Sequence, residues 1–349
     1  MVIDNTVLGP ACGRIKISPT ITPREVFNNA RKMTLACALV NIKFGGAAAG
    51  IRANPFEIDR SKVIRSFAKK ISPYVPEQYI ASPDIILCQD DMAVFSEEVG
   101  DRKGATGKPE SMGGIPFEIG CTGFGIGIII ESIIESIQSP SIPKKTSEAK
   151  ITIQGFEHIG RTLSKYLYNK NAKIVGISDT QCTISDPTGI NIDKLLQWYS
   201  ENNGKHSLKK YNNANKMPNE DIVKIESDFF VPTTANDIIT DKNIEILDSK
   251  CVVEGINDSI DFNTEIMLYH KGILVIPDIL TIASGAINSY SEYNNHSSEK
   301  AFSLIESLIK EATNNVIHSS RNGKIPLRRI VNEIAKENIL KEMEGVNNV

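Results

Sequence analysis

The sequence predicts an α/β protein built from two domains. Its 349 residues exceed what one hydrophobic core usually organises, so we expect two domains with a cleft between them, where small molecules generally bind. The clearest local pattern is a β-α-β unit: an apolar strand around Ile151 and Ile153, a glycine turn, a helix over 159–168 and a second strand reading KIVGISD. Apolar runs at 251–254 and 273–277 predict later parallel strands of the same sheet.

The remaining pattern divides the chain into three segments. Residues 1–122 mix short apolar runs with glycine and proline, which predicts a smaller α/β domain. From residue 123, the text GFGIGIIIESIIESIQ predicts a buried helix that begins a doubly wound, Rossmann-like domain over 123–295. Residues 296–349 hold two helices with apolar residues at three- and four-residue spacing, and we expect them to return across the cleft. The stretch 203–221 is rich in Asn and Lys and predicts an exposed excursion.

Composition narrows the classes of function. The chain has 41% hydrophobic and 23% charged residues, the balance of a globular protein. A net charge of -3 without clustered lysines argues against nucleic acid and membrane as partners. The six cysteines lie far apart without a C-x-x-C pair, so we expect free thiols, no metal site and a reducing compartment. The first residues lack the basic and apolar regions of a signal peptide, and we expect a cytoplasmic protein.

The glycine turn of the β-α-β unit resembles a dinucleotide fingerprint with one change. The turn consists of Gly155, Phe156, Glu157, His158, Ile159 and Gly160. In the fingerprint G-x-G-x-x-G the second glycine falls on Glu157, whose carboxylate opposes a pyrophosphate at the start of a helix. Asp179 ends the second strand, where it either binds an adenine-ribose hydroxyl, favouring NAD, or caps the next turn. The turn predicts NAD as a cofactor, weakened by Glu157; His158 we interpret as a helix-turn residue rather than a ligand.

Nine short motifs occur in a fixed order from about residue 5 to the C-terminus. They read GPACGRIKISP, FGGAAAGIRANP, YIASPD, ATGKPESMGG, CTGFGIG, IQGFEHIGR, VGISD, CVVEGIND and GILVIPDIL. Together they resemble the glutamate/leucine/phenylalanine/valine dehydrogenase family, and its glutamate dehydrogenases most closely. The resemblance implies that residues 1–122 form a substrate and oligomerisation domain and that residues 123–295 bind the dinucleotide. It also implies the family's reaction, the NAD(P)-linked oxidative deamination of an L-amino acid to a 2-oxo acid.

Members of this family present three lysines to the substrate: one in G-P-x-K-G-G, one shortly before the glycine-rich loop, and one inside it, in G-G-x-K-x-G. In register, these positions fall on Cys12, Ala36 and Ala48. By the resemblance, the first two hold substrate carboxylates and the third activates the water that exchanges amine for keto group. Glu118 likewise replaces an arginine before A-T-G, and Ile282 replaces an asparagine that resembles a nicotinamide contact. The resemblance therefore implies a degenerate active site without standard glutamate dehydrogenase activity.

Other site residues keep the family's type. Asp84 matches the catalytic aspartate, the proton-transfer partner of the lysine lost at Ala48. Thr106 and Lys108 also match the family's motifs. The resemblance further implies that Ser289 belongs to the substrate pocket and Asn257 to the cofactor site. Each has a structural alternative, since aspartate caps turns and serine and asparagine satisfy backbone groups.

Lys16 and Lys43 lie near the lost lysines in the sequence, and each is a candidate for a relocated amine, although Lys43 also fits a surface turn.

Three functions stay open. The chain is a non-catalytic or regulatory subunit, in a homo-oligomer or beside an active paralogue. Alternatively, it is a divergent NAD-linked oxidoreductase that uses Asp84 as acid and base and Asp179 to hold NAD. In the third reading, it is a sensor that binds an amino acid or 2-oxo acid without chemistry.

Overall fold

The computed structural model describes residues 1–347 except 85, 138, 203, 205, 206, 235–238 and 321–324. The chain forms two compact units. The first comprises Met1–Cys121, Ile282–Leu308 and Val331–Val349, and the second comprises Thr122–Thr281 and Ile309–Ile330.

The first unit contains a four-stranded sheet. Its strands are β1 (Val2–Asn5), β2 (Ala11–Ile17), β3 (Gly45–Ile51) and β4 (Tyr79–Pro83), in the spatial order β1-β3-β2-β4. The strand β2 lies between β3 and β4 and is parallel to both, whereas β1 runs antiparallel to β3. The helices of this part of the chain are α1 (Pro23–Leu39), α2 (Arg60–Ile71) and α3 (Gln89–Val99).

Local sequence explains where these helices begin. The hydroxyl of Thr22 accepts a hydrogen bond from the Glu25 amide at 3.2 Å, and Pro23 fills the first helical position of α1, where no backbone donor is needed. In the same way, the Asp59 carboxylate accepts from the Lys62 amide at 3.1 Å at the start of α2. The second half of α1 is almost wholly buried and packs on β3, so the apolar run after residue 34 is helix up to Leu39.

The second unit contains a seven-stranded sheet. Its strands are β5 (Lys150–Gln154), β6 (Lys173–Ser178), β7 (Thr183–Ser185), β8 (Asn215–Met217), β9 (Ser227–Pro232), β10 (Ser249–Val253) and β11 (Leu274–Ile276), in the order β11-β10-β9-β5-β6-β7-β8. The first five strands of that order are parallel, and β7 and β8 extend the sheet antiparallel. In chain order the parallel strands follow the doubly wound pattern 2-1-3-4-5, whose direction of winding switches between β5 and β9.

The remaining helices are α4 (Cys121–Ser136), α5 (His158–Asn169), α6 (Ile192–Glu201), α7 (Phe262–His270), α8 (Asp278–Tyr293), α9 (Ser298–Ser319) and α10 (Leu327–Asn347). None of the helices in the described ranges is long and apolar enough to cross a membrane. The predicted α/β fold class, with its N-terminal α/β part and Rossmann-like parallel sheet, is confirmed.

The predicted exposed excursion over 203–221 is only partly right. Residues 203, 205 and 206 lie outside the described residues. In the rest, Leu208 and Tyr211 are 1% and 2% exposed, and residues 215–217 form the edge strand β8. Two apolar side chains within a polar stretch therefore anchor the segment to the sheet, because burying them offsets the cost of ordering it.

Candidate functional site

The three positions that match the family's lysines lie on three neighbouring elements of the first unit. Cys12 is on β2, Ala36 on α1 and Ala48 on β3, with exposed fractions of 0%, 0% and 3%. None of them carries an amine. The structure therefore places small, uncharged and buried side chains where the resemblance expects three ammonium groups.

Cys12 is a neutral group at physiological pH. Burial raises the pKa of its thiol to about 11, although hydrogen bonds from the hydroxyls of Ser289 and Ser82 oppose that rise. The thiol is therefore protonated at neutral pH and is a poor nucleophile. Ser289, predicted for the substrate pocket, is 9% exposed and lies against Cys12, so the structure brings these two predicted residues together.

Asp84 directly follows β4 and faces a cation that sequence reasoning missed. Nη1 of Arg14 and Oδ1 of Asp84 are 4.0 Å apart, with the two side chains 28% and 18% exposed. The backbone carbonyl of Asp84, not its carboxylate, accepts the Leu87 amide at 2.9 Å in the turn that follows. The sequence did contain a signal for Arg14: the last position of the family pattern G-P-x-K-G-G is glycine, and this chain has arginine there.

Lys108 is committed to a buried ion pair. Its Nζ lies 2.5 Å from Oε1 of Glu292 and also donates to the carbonyl of Ala105; the side chains of the pair are 4% and 1% exposed. Glu292 also accepts from the amides of Gly107 at 2.8 Å and Ile115 at 2.7 Å. The ammonium is thus neutralised within the unit, and Glu292 is a second residue that sequence reasoning missed.

Thr106 lies beside this pair. Its hydroxyl donates to the Ser289 hydroxyl at 3.0 Å and approaches the carbonyl of Ala81 at 3.4 Å. The structure therefore brings Thr106 and Ser289 together near Cys12. The contacts among these three side chains are between hydroxyl and thiol groups, which carry no charge.

Four further candidates on the substrate side are Glu118, Ile282, Lys16 and Lys43. Glu118 is exposed in a 3-10 turn, and Ile282 is buried in α8. Lys16 pairs with Glu25 at 2.6 Å, and Lys43 pairs with Glu342 at 2.7 Å. Each candidate for a relocated amine thus has a carboxylate partner of its own.

In the second unit the glycine turn joins β5 to α5 at the switch point of the sheet. Gly155 has φ +104°, which favours glycine, and a Cβ on Gly160 would lie 1.9 Å from the carbonyl oxygen of Gly155. The Thr233 hydroxyl, which follows β9, donates to the carbonyl of Gln154 at 2.9 Å and fixes the start of the turn. These positions fit the first and third glycines of a dinucleotide turn.

The middle of the turn departs from that pattern. Glu157 is exposed at the N-terminus of α5, and its side chain makes no capping hydrogen bond. Phe156 is buried with 3% exposure and packs edge-on against Tyr199, with ring centroids 5.4 Å apart. His158 and Ile159 form the first turn of α5. An exposed carboxylate therefore occupies the position at which the fingerprint has its second glycine.

Asp179 follows β6 and is already engaged by backbone amides. Its Oδ1 accepts from Gln181 at 2.8 Å and Cys182 at 2.9 Å, and its Oδ2 accepts from Leu208 at 2.6 Å. Asn257 lies in the turn after β10. The geometry at Asp179 is that of a turn cap, with little accepting capacity left for a ribose hydroxyl.

A buried charge cluster at the start of α10 was also missed. Arg328 donates to Glu254, Glu265 and Asp278, the last at 2.9 Å. One guanidinium thus faces three carboxylates. Burial and the neighbouring Asp278 raise the pKa of Glu254 to about 7, and Arg328 opposes that rise. Among the described residues no group of three or more His, Cys, Asp or Glu side chains forms a potential metal site.

A parallel sheet with a glycine turn at its switch point, attached to a second α/β unit, defines a Rossmann-like protein of the dehydrogenase type. The sequence profile described as "Glutamate/Leucine/Phenylalanine/Valine dehydrogenase" matches residues 113–346, and the one described as "Glu/Leu/Phe/Val dehydrogenase, dimerisation domain" matches residues 1–101. The chain belongs to the glutamate/leucine/phenylalanine/valine dehydrogenase family.

Known proteins similar to the chain include several glutamate dehydrogenases. It is 32% identical over 308 residues to glutamate dehydrogenase A2 of Halobacterium salinarum, covering 85% of this chain and 72% of that protein. It is 30% identical to the NAD-specific glutamate dehydrogenase of Staphylococcus aureus, covering 93% and 80%. The structure of hetero-hexameric glutamate dehydrogenase from Thermus thermophilus in a Leu-bound form superimposes with a TM-score of 0.83 at 23% identity, over 97% of this chain and 82% of that one.

Proposed function

We propose that this chain is a non-catalytic member of its family, a regulatory or sensor subunit that does not oxidise glutamate by the family's reaction. The observation that carries the proposal is the set of buried, uncharged side chains at Cys12, Ala36 and Ala48. The fold of the family is retained around these positions.

The loss of these amines has a calculable effect. A single acid or base group typically contributes about 10² to 10⁴ in rate, and Ala48 has no proton to transfer. Each charge-assisted hydrogen bond to a substrate carboxylate contributes roughly 1.5 to 3 kcal/mol, and two such anchors are absent at Cys12 and Ala36. Binding and chemistry are both removed, which is why restoring activity with one substitution is not expected.

The proposal extends to the cofactor. NAD is the dinucleotide that Asp179 would select, and we propose that its binding is weakened at Glu157. The exposed carboxylate at the start of α5 supports this, because it repels a pyrophosphate that the helix N-terminus would otherwise attract. The three amides already bound to Asp179 add to the same effect.

The proposal also includes assembly, either as a homo-oligomer or beside an active paralogue. Its support is the similarity in fold to the glutamate dehydrogenase from Thermus thermophilus. That protein is a hetero-hexamer, so it contains more than one kind of chain. Native mass measurement of this chain, purified alone and with such a paralogue, tests this part.

A second candidate is a divergent oxidoreductase, and the retained Asp84 favours it. Under that reading Asp84 acts as the acid and base on a substrate other than glutamate. It requires a bound dinucleotide, so calorimetric titration with NAD and NADP that shows no association eliminates it.

Glutamate oxidation is the direct test of the proposed function. We expect the purified chain to give no NADH or NADPH absorbance at 340 nm from L-glutamate, under conditions in which a lysine-bearing glutamate dehydrogenase of the family is active. The reverse reaction, from 2-oxoglutarate and ammonium, is measured in parallel. Turnover by this chain alone, in either direction and with either cofactor, contradicts the proposal.

A further inference from the structure

We infer that a cavity at the outer edge of the parallel sheet binds a small apolar ammonium ion, whose charged nitrogen donates to the carboxylate of Glu265. The ligand class is a primary amine with a compact hydrocarbon group and no carboxylate of its own. All residues that line the cavity belong to the second unit. The inference is therefore independent of the proposed loss of catalysis, which is carried by Cys12, Ala36 and Ala48 of the first unit.

The cavity lies beside β11, which is the outermost strand at one side of the seven-stranded sheet. Three other segments complete its wall: the residues that follow α4, the helix α7 and the start of α10. Its volume is about 180 Å³. An engineered protein cavity of about 150 Å³ with aliphatic and aromatic walls binds benzene. The cavity beside β11 is therefore large enough for one six-membered ring with a short substituent.

Aliphatic side chains predominate in the lining of the cavity. They include Ile137, Ile142, Ile273, Val275, Ile325 and Leu327. Tyr269 adds an aromatic ring, and aromatic rings attract cations as well as hydrocarbon groups. Apolar ligand surface that enters such a cavity is removed from water, and this transfer is favourable. The lining therefore favours a ligand with a hydrocarbon body.

Glu265 on α7 supplies a carboxylate to this apolar lining. The residue is 5% exposed. Its Oε2 accepts a hydrogen bond from Nε of Arg328, whereas its Oε1 accepts none from the residues that the structure describes. A buried acceptor without a donor is unfavourable, and a primary ammonium has three donors. An ammonium group in the cavity can therefore supply the hydrogen bond that Oε1 lacks.

The charges around Glu265 favour a cation over an anion. Arg328 is shared among Glu254, Glu265 and Asp278, so one guanidinium faces three carboxyl groups. The ionised carboxylates outnumber the guanidinium even when Glu254 is protonated. A cationic ligand reduces this excess of negative charge, whereas an anionic ligand increases it.

Lys250 is the positively charged side chain in the lining, and it lies at the solvent side of the cavity. Its side chain is 47% exposed, and its Nζ lies 2.7 Å from Oδ1 of Asp228. This ion pair offsets the charge of Lys250, and solvent screens what remains. The buried carboxylate of Glu265 should therefore decide the charge of the ligand.

The first experiment varies the charge of the ligand at constant shape. The full-length protein is titrated by calorimetry at neutral pH with benzylamine, benzyl alcohol and benzoate, which share one aromatic ring and are cationic, neutral and anionic. We expect benzylamine to bind with a Kd of about 0.1 mM and to raise the melting temperature. It should bind about tenfold more tightly than benzyl alcohol, the effect of one charge-assisted hydrogen bond, and benzoate should bind most weakly.

Two substitutions locate the site. Glu265→Gln keeps the shape of the side chain and removes its charge, so it should weaken benzylamine about tenfold and leave benzyl alcohol unchanged. Leu274→Trp enlarges a half-buried side chain of the lining and should weaken both ligands. The matched control is Glu245→Gln, which removes a carboxylate that is 79% exposed and paired with Lys271, and it should change neither affinity. If circular dichroism shows that Glu265→Gln does not fold, the charge series on wild type and Leu274→Trp still decide.

Four results overturn the inference. The first is that benzylamine does not bind, and the second is that benzyl alcohol or benzoate binds as tightly as benzylamine. The third is an equal effect of Glu265→Gln and Glu245→Gln on the affinity for benzylamine. The fourth is wild-type affinity for benzylamine in Leu274→Trp, because the ligand would then bind outside the cavity.

Discussion

At the scale of single residues, the meaning of a retained side chain depends on its partners. Lys108 keeps the residue type of its family, yet its ammonium already donates to Glu292 and to the carbonyl of Ala105. Arg14 departs from the pattern, yet its guanidinium makes no hydrogen bond within the described part of the chain and pairs only at 4.0 Å with Asp84. Retention of Lys108 therefore does not leave its ammonium available to a ligand.

Lys108→Met tests the structural role. Removing the ammonium leaves Glu292 buried with backbone amides as its remaining donors, and breaking a buried pair in this way costs about 3 to 5 kcal/mol in free energy of unfolding. Urea denaturation measures the loss. Lys43→Met is the control, because it breaks the exposed Lys43–Glu342 pair and should cost less than about 1 kcal/mol. Equal effects of the two substitutions would contradict this assignment.

At the scale of elements, the turn between β5 and α5 retains the geometry of a dinucleotide site and changes its charge. Gly155 and Gly160 preserve the backbone path, and Thr233 holds it. Glu157 then places a carboxylate where the helix N-terminus would draw an anion. The element therefore keeps the two glycine positions of a dinucleotide turn and carries a carboxylate between them.

Substitutions at Glu157 separate charge from bulk. Glu157→Gly restores the fingerprint, and we expect NAD affinity measured by calorimetry to rise by tenfold or more, about 1.4 kcal/mol per factor of ten. Glu157→Gln removes only the charge and should give part of that gain. If wild type and both variants bind NAD equally, Glu157 does not weaken the site and Asp179 or the rest of the turn must set the affinity.

At the scale of the whole molecule, buried charge links segments that are distant in the sequence. Arg328 at the start of α10 joins Glu254 after β10, Glu265 on α7 and Asp278 on α8, all within the second unit. Burial, together with the neighbouring carboxylate of Asp278, raises the pKa of Glu254 to about 7, so this carboxyl retains a proton at higher pH than an exposed carboxyl does. Global stability should therefore depend on pH through this cluster.

Glu254→Gln tests that dependence. The folded pKa of Glu254 is raised from 4.5 to about 7, so the folded state binds more protons than the unfolded state between those values. The contribution of this carboxyl to stability is then full below pH 4.5 and is lost as pH rises through about 7. Wild type should lose stability relative to Glu254→Gln between pH 5 and pH 8 by up to about 3 kcal/mol, as measured by urea denaturation.

The control for this comparison is Glu245→Gln, on a glutamate that is 79% exposed and paired with Lys271. Its stability curve should follow that of wild type across the same pH range. Parallel curves for Glu254→Gln and wild type would show that Glu254 does not titrate in this range.

Sequence alone determined the fold class and the family, because the alternation of apolar strands and amphipathic helices and the order of nine motifs are properties of the chain itself. It also predicts that the family's three lysine positions fall on Cys12, Ala36 and Ala48, and it contains the carboxylate of Glu157. The β-α-β unit over 150–178 lies where the pattern placed it, with boundaries shifted by one or two residues.

Only the tertiary structure decided which charged groups are available to a ligand. Lys108 meets Glu292 across 184 positions, Asp179 meets the Leu208 amide across 29, and Arg14 meets Asp84 across two strands. An electrostatic interaction falls off over a few ångströms in a screened, partly buried setting, so the role of a charge is set by spatial neighbours that residue spacing does not reveal. The sequence thus shows the family to which the chain belongs, and the fold shows which charged side chains already have partners.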